Sequence, residues 1–221
     1  MITSDPTVGV QPPLRTKARE QQALFASEVV RLLSCEDVPL PRRRLYAVAI
    51  YTGMLRSELE RLEAQHVNFE HHMITVMGSK TDAATRQIPI EPALLPLLTK
   101  LVEERKTGPL LDVPSGQGTH ATADLIRSDM ELVRPALSQN DAHVMPFTFH
   151  GLRHTAITHW AVAGKSQLFL LTVAGHMDVT MTKKYLGKAA SVSAKFGQPH
   201  PPLPASILGG AEVIPLPARS A

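Results

Sequence analysis

The sequence predicts a mainly helical domain carrying one small antiparallel β-sheet, an α+β fold. Three observations predict it. Apolar residues recur at helical spacing on both sides of a single stretch of period two, His72 to Ile90. The segment from His150 to Gly187 reads as successive short helices broken at glycine. With 221 residues, 43% of them hydrophobic and 19% charged, the chain can bury a sizeable core without disulfide staples.

The elements follow in order. Residues 1–19 hold Pro6, Gly9, Pro12 and Pro13 and few large apolar groups, and are expected to be a mobile leader. Glu20 to Ser34 sets Leu24, Phe25, Val29, Leu32 and Leu33 on one helical face. Arg42 to Tyr51 is almost wholly apolar after its basic start, which predicts a buried core helix ended at Thr52-Gly53. A short helix, Ser57 to Ala64, turns Leu59 and Leu62 inward. His72–Val76 and Thr85–Ile90 read as hairpin strands with Gly78–Asp82 at the tip. Helices are predicted over Pro92–Arg105 and, more weakly, Ala121–Leu137, with a loop between. Three further helices are predicted at about 151–163, 166–174 and 178–185. The tail 197–221 is too rich in proline for a long helix and is expected to be disordered or docked in extended form. The domain proper is therefore 20–196.

Composition excludes several classes. No 18-residue apolar run is present, so no transmembrane helix is predicted and no membrane partner is expected. The N-terminus lacks a signal-peptide pattern, and the single cysteine, Cys35, allows neither an internal disulfide nor a cysteine-rich zinc site. A cytoplasmic setting is expected. The net charge of +3 is compatible with a polyanion but does not require one.

Three clusters could carry chemistry. His150-Gly151-Leu152-Arg153-His154 puts a histidine and an arginine on one face of a helix start, where free N–H groups already favour anions. Alone, it reads first as a capping histidine and a surface arginine. Gly175-His176 is followed nine residues later by Tyr185, which alone is an ordinary half-buried anchor. Lys80 sits at the hairpin tip with Arg86 on the returning strand, which alone is a solvated tip. His150 and His154 have metal-compatible spacing, but no acidic ligand lies nearby in sequence, and no metal or other cofactor is expected.

Taken together, the clusters resemble the catalytic domain of the tyrosine recombinases, the phage-integrase family, over roughly residues 20–200. The resemblance rests on Thr52-Gly53-Met54-Leu55-Arg56-Ser57-Glu58-Leu59, Lys80, His150-Gly151-Leu152-Arg153-His154-Thr155, Gly175-His176 and Tyr185. It implies site-specific recombination of double-stranded DNA through a 3′-phosphotyrosine, without metal or ATP, by an oligomer assembled on DNA and associated with the nucleoid when bound. Tyr185 would be the nucleophile, and Arg153 would hold the non-bridging phosphate oxygens. Lys80 would protonate the leaving 5′-oxygen, while His150 would assist proton transfer and His176 would donate to the phosphate. Arg86, His154, Lys183 and Lys184 would contact DNA.

Two departures bear on that reading. The family's first arginine falls at Leu55 when Thr52-Gly53 and Glu58-Leu59 are aligned, and Arg56 comes one place late. On a regular helix one step rotates a side chain by about 100°. Arg56 would fill the role only if the turn after Gly53 shifts, and otherwise the chain would be an impaired remnant that binds DNA or a related recombinase without cutting. In addition, too few residues precede the catalytic region to form the N-terminal domain that clamps DNA in the family, so that domain is expected to be absent.

Overall fold

The computed structural model describes residues 23–78, 85–114, 119–133, 147–175 and 179–209. Two helices form its centre, α2 (Leu40–Thr52) and α6 (Phe149–Val162). Both are buried on nearly every side: Leu45 to Thr52 and Gly151 to Ala161 are continuous buried runs. A helix apolar all round belongs in the interior, and α2 is the helix expected from its unbroken apolar run. Around this pair pack α1 (Ala26–Ser34), α3 (Arg56–Leu59), α4 (Leu95–Glu104), α5 (Thr119–Val133), α7 (Gln167–Ala174) and α8 (Val179–Phe196).

The sheet is antiparallel in the order β1-β2-β3, with β1 at Val67–Asn68, β2 at Met73–Val76 and β3 at Arg86–Pro89. Val67 and Ile88 both pair with Ile74, so one face of the sheet closes on the core. Pro89, which cannot donate to a ladder, ends the edge strand β3. β1 was not expected from the sequence.

The chain turns sharply after α2. Gly53 has φ +61°, and its N–H closes on the Ala49 carbonyl at 2.9 Å. A Cβ there would lie 3.2 Å from Trp160 and 3.3 Å from Ala156, so glycine is needed both for the turn and for the close approach to α6.

Some boundaries differ from expectation. The 57–64 helix is a single α-helical turn, α3, followed by a bend and a 3₁₀ turn at Ala64–His66. The last helix does not end at 185 but runs to Phe196, because Thr182, Tyr185, Ala189 and Phe196 make one buried stripe through Gly187. The tail is docked on its own domain as far as Gly209. His200 is 7% exposed, Ile207 0% and Leu208 8%. Tyr51 donates to the Pro201 carbonyl, and Arg44 Nε donates to Ile207 O at 3.0 Å. Among the described residues no helix is long and apolar enough to cross a membrane. Residues 1–22 and the tail beyond 209 lie outside the described residues.

Candidate functional site

The start of α6 and the turn into α3 face each other across a cleft of about 490 Å³, lined by Met54, Leu55, Arg56, Ser57, Glu60, Phe149, His150 and Arg153. On α6, His150 and Arg153 are three residues apart and so share a face.

Arg153 is 8% exposed. Its Nη1 donates to Gly53 O at 2.8 Å and its Nη2 donates to Ala174 O, so it ties α6 to the ends of α2 and α7. Burial, then the nearby Arg86 charge, lowers its guanidinium to about 10, and Glu58 opposes the shift. Arg153 therefore remains a cation at neutral pH, poorly neutralised by its carbonyl partners. That is an electrostatic demand for an anion at the cleft.

Arg86 was expected to meet DNA. In the structure it braces the fold: its guanidinium holds both carboxylate oxygens of Glu58, and its Nε donates to Val173 O at 2.8 Å. Glu58 Oε2 also accepts the Leu55 N–H at 2.7 Å, a capping interaction at the start of α3. One carboxylate thus fixes the start of β3 and the cleft wall together.

Leu55 and Arg56 are not related by a helical step. Leu55 is the N-cap of α3 with an extended backbone, φ −70° and ψ 158°, whereas Arg56 is the first helical residue. The expected 100° separation does not apply, and both residues line the cleft. Arg56 is engaged by the chain itself, through Nε to Glu60 Oε1 at 3.0 Å and Nη2 to Pro114 O at 3.0 Å.

His154, also expected at a DNA surface, is buried at 5% exposure. Its Nδ1 is hydrogen-bonded to the Tyr185 hydroxyl, and the two rings stack with centroids 5.6 Å apart. On its other side lies His150, edge to face at 4.6 Å. Burial, followed by the His150, Arg153 and Lys188 charges, lowers His154 to about 3. His150 is also lowered, first by burial and then by Arg153. Both imidazoles are neutral at pH 7.

The structure thus sets His154 against Tyr185 at the α6–α8 contact, with His150 and Arg153 on the cleft side of α6 and Leu55 and Arg56 across the cleft. Lys183 and Lys184 are exposed on α8 beside Tyr185. Lys80 and His176 lie outside the described residues. Sequence reasoning missed the pairing of His154 with Tyr185 and that of Glu58 with Arg86. Nothing in the α6 sequence signals the first, because Tyr185 comes from α8.

The phage integrase family profile matches residues 22–191. Among curated relatives, the tyrosine recombinase XerC of Mycobacterium tuberculosis is 29% identical over 213 residues, spanning 91% of this chain and 70% of its own. The crystal structure of XerA recombinase matches with a TM-score of 0.61 at 21% identity, over 77% of this chain and 62% of that one. The Tn1549 transposon integrase in complex with transposon right end DNA matches with a TM-score of 0.63 at 19% identity, over 82% of this chain and 68% of that one. These structural likenesses carry the fold.

Proposed function

The chain belongs to the phage integrase family, and from that premise we propose that it cleaves and rejoins double-stranded DNA in site-specific recombination, with Tyr185 as nucleophile. The observation that carries the reading is the convergence of Tyr185, from α8, on the face of α6 that also presents His150 and Arg153 to the cleft.

The chemistry follows from charge. Attack of the tyrosine oxygen on a phosphodiester builds negative charge on the non-bridging oxygens while the bond to the 5′-oxygen breaks. Arg153, held as a buried cation, offsets that charge through preorganised N–H donors. His150, neutral and at the cleft, moves a proton to or from the reacting oxygens. Lys80 supplies the proton for the leaving 5′-oxygen, and His176 donates to the phosphate. Lys183 and Lys184 contact the backbone of the duplex, as does the protein generally, so binding weakens steeply with salt. Several protomers assemble on the DNA to exchange strands.

Incubation with a nicked duplex, from which the cleaved end diffuses away, tests the reading. A covalent protein–DNA adduct that Tyr185→Phe abolishes is expected. Adduct that persists in Tyr185→Phe overturns it.

A second reading is favoured by Leu55, which lines the cleft where the family resemblance implies an arginine. In that reading the chain binds DNA and does not cut, and wild type gives salt-sensitive binding with no adduct.

A further inference from the structure

Tyr185 is 7% exposed and is not among the described residues that line the cleft. Its hydroxyl is taken up by His154 on the neighbouring turn of α6. We propose that His154 is a positioning residue that holds Tyr185 back from the cleft as a neutral phenol until DNA engages the site. The proposal rests on the reading of Tyr185 as the nucleophile.

The direction of the hydrogen bond follows from the chemistry of its partners. A phenol O–H is the stronger donor and a neutral imidazole nitrogen the stronger acceptor. The phenol therefore donates to Nδ1, and the imidazole proton sits on Nε2. A hydrogen bond made by the neutral form of an acid disfavours its ionisation. His154 is a poor recipient for the proton as well, because burial and three neighbouring cationic or basic groups, His150, Arg153 and Lys188, resist an imidazolium there. The contact thus stabilises the form of Tyr185 least able to attack. The ring stack adds a geometric hold.

The hold is also made to be broken. His154 Nε2 is buried with no hydrogen-bond partner among the described residues, and an unpaired buried polar group destabilises the state that contains it. The cations of the cleft are engaged in the same way: Arg153 by the Gly53 and Ala174 carbonyls, Arg56 by Glu60 and the Pro114 carbonyl. An entering phosphate competes for those donors, and the field of its negative charge opposes the one that keeps His154 neutral.

The chain has three tyrosines, which makes the hold measurable without catalysis. Tyr46 and Tyr51 are 2% and 0% exposed, and burial raises both phenols above the usual range. Nitration by tetranitromethane in the folded chain, mapped by peptide, therefore reports on Tyr185. Wild type is expected to react slowly compared with the urea-unfolded chain. His154→Phe keeps a ring and removes the acceptor, and should react about 2- to 12-fold faster, the range that one neutral hydrogen bond supports. His154→Asn, whose amide oxygen can take the place of Nδ1, should stay slow. Equal rates in wild type and a folded His154→Phe overturn the proposal.

Should His154→Phe not fold, long-range ¹H–¹⁵N spectra of the wild-type histidines decide. His154 is expected as the Nε2–H tautomer, with an Nδ1 resonance that moves in Tyr185→Phe. The opposite tautomer, or an unmoved resonance, overturns the hold. On nicked duplex, His154→Phe should form adduct faster than wild type, and slower formation overturns the withholding role. If no variant forms adduct, the recombination reading has failed, while nitration still decides whether His154 holds Tyr185.

Discussion

Glu58 grips Arg86 with both carboxylate oxygens, Oε1 to Nη1 at 2.6 Å and Oε2 to Nη2 at 2.9 Å, and neither side chain is more than 12% exposed. Burial alone would raise the Glu58 carboxyl. The Arg86 hydrogen bonds, the Leu55 N–H and the Arg86 and Arg153 charges reverse that, leaving it lowered. Arg86 passes the restraint on to the Val173 carbonyl, one residue before the Ala174 carbonyl that Arg153 uses.

Breaking this pair from one side strands a buried charge. Arg86→Met should therefore destabilise the domain by about 3–5 kcal/mol. Replacing both members, Glu58→Leu with Arg86→Met, should recover most of that, because the desolvation cost of both charges disappears. Urea unfolding of the single and double variants checks this. A double variant as unstable as Arg86→Met alone would mean that the pair is not the source of the loss.

The acid side of the stability profile is set by buried histidines. His159 is fully buried, with Nε2 donating to Leu24 O at 3.0 Å and Nδ1 accepting the His200 N–H at 2.9 Å. That pattern fixes a neutral ring. Burial lowers His159 to about 4, with the Leu24 carbonyl opposing. His200 is held well below its usual value, by burial and then by the His159 charge. In the unfolded chain both rings titrate near about 6.5. Between those values the unfolded state binds more protons, so stability is full above about pH 6.5 and falls as pH drops. For His159 alone the loss reaches about 3 kcal/mol by pH 4. Glu58 adds to the loss only below its own unfolded range. Unfolding free energies measured at pH 7, 6 and 5 should decline, and a flat profile would refute a buried neutral pair.

The core helices were legible because α2 is an unbroken apolar run and α4 buries Leu97, Leu98 and Leu101 at helical spacing. The two-residue strand β1 exists only through its pairing with β2, and two residues hold no period to read. The C-terminal part of α8 was hidden because its buried stripe is sparse, Ala189 and then Phe196, among exposed polar residues. At the site, Arg153, His150 and Tyr185 were named from motif spacing. The partner of His154 comes from a helix 31 residues away, and no spacing rule on α6 reveals what packs across it. The Arg86–Glu58 pair was hidden for a related reason: a charge on a strand looks solvated until its buried carboxylate is seen.

The docked tail is a stability element of the domain. Ile207 is completely buried against the body, and Ser206 Oγ accepts from Arg43 Nη1 at 3.3 Å. Ile207→Ala should cost about 2–5 kcal/mol, as for other buried aliphatic truncations. A thermal melt checks this, and a change within about 0.5 kcal/mol, the size expected of an exposed site, would place the tail off the core in solution.

The cleft wall offers the sharpest test of catalytic competence. Leu55 has the backbone of an N-cap and 38% exposure, so an arginine there meets no packed neighbour and faces the same cleft as His150 and Arg153. Leucine offers no charge to a developing phosphate dianion, and losing one preorganised donor typically costs about 100- to 1000-fold. Leu55→Arg should therefore raise the rate of adduct formation on nicked DNA by up to about that factor. Arg56 lines the cleft too, but its guanidinium is tied to Glu60 and to the Pro114 carbonyl. A donor already engaged must be released before it can serve, so Arg56→Ala should lower the wild-type rate by less than about tenfold, roughly the worth of one exposed ion pair and a hydrogen bond. If Arg56→Ala instead abolishes a readily formed wild-type adduct, Arg56 leaves Glu60 to clamp the phosphate, and the leucine at position 55 is no impairment.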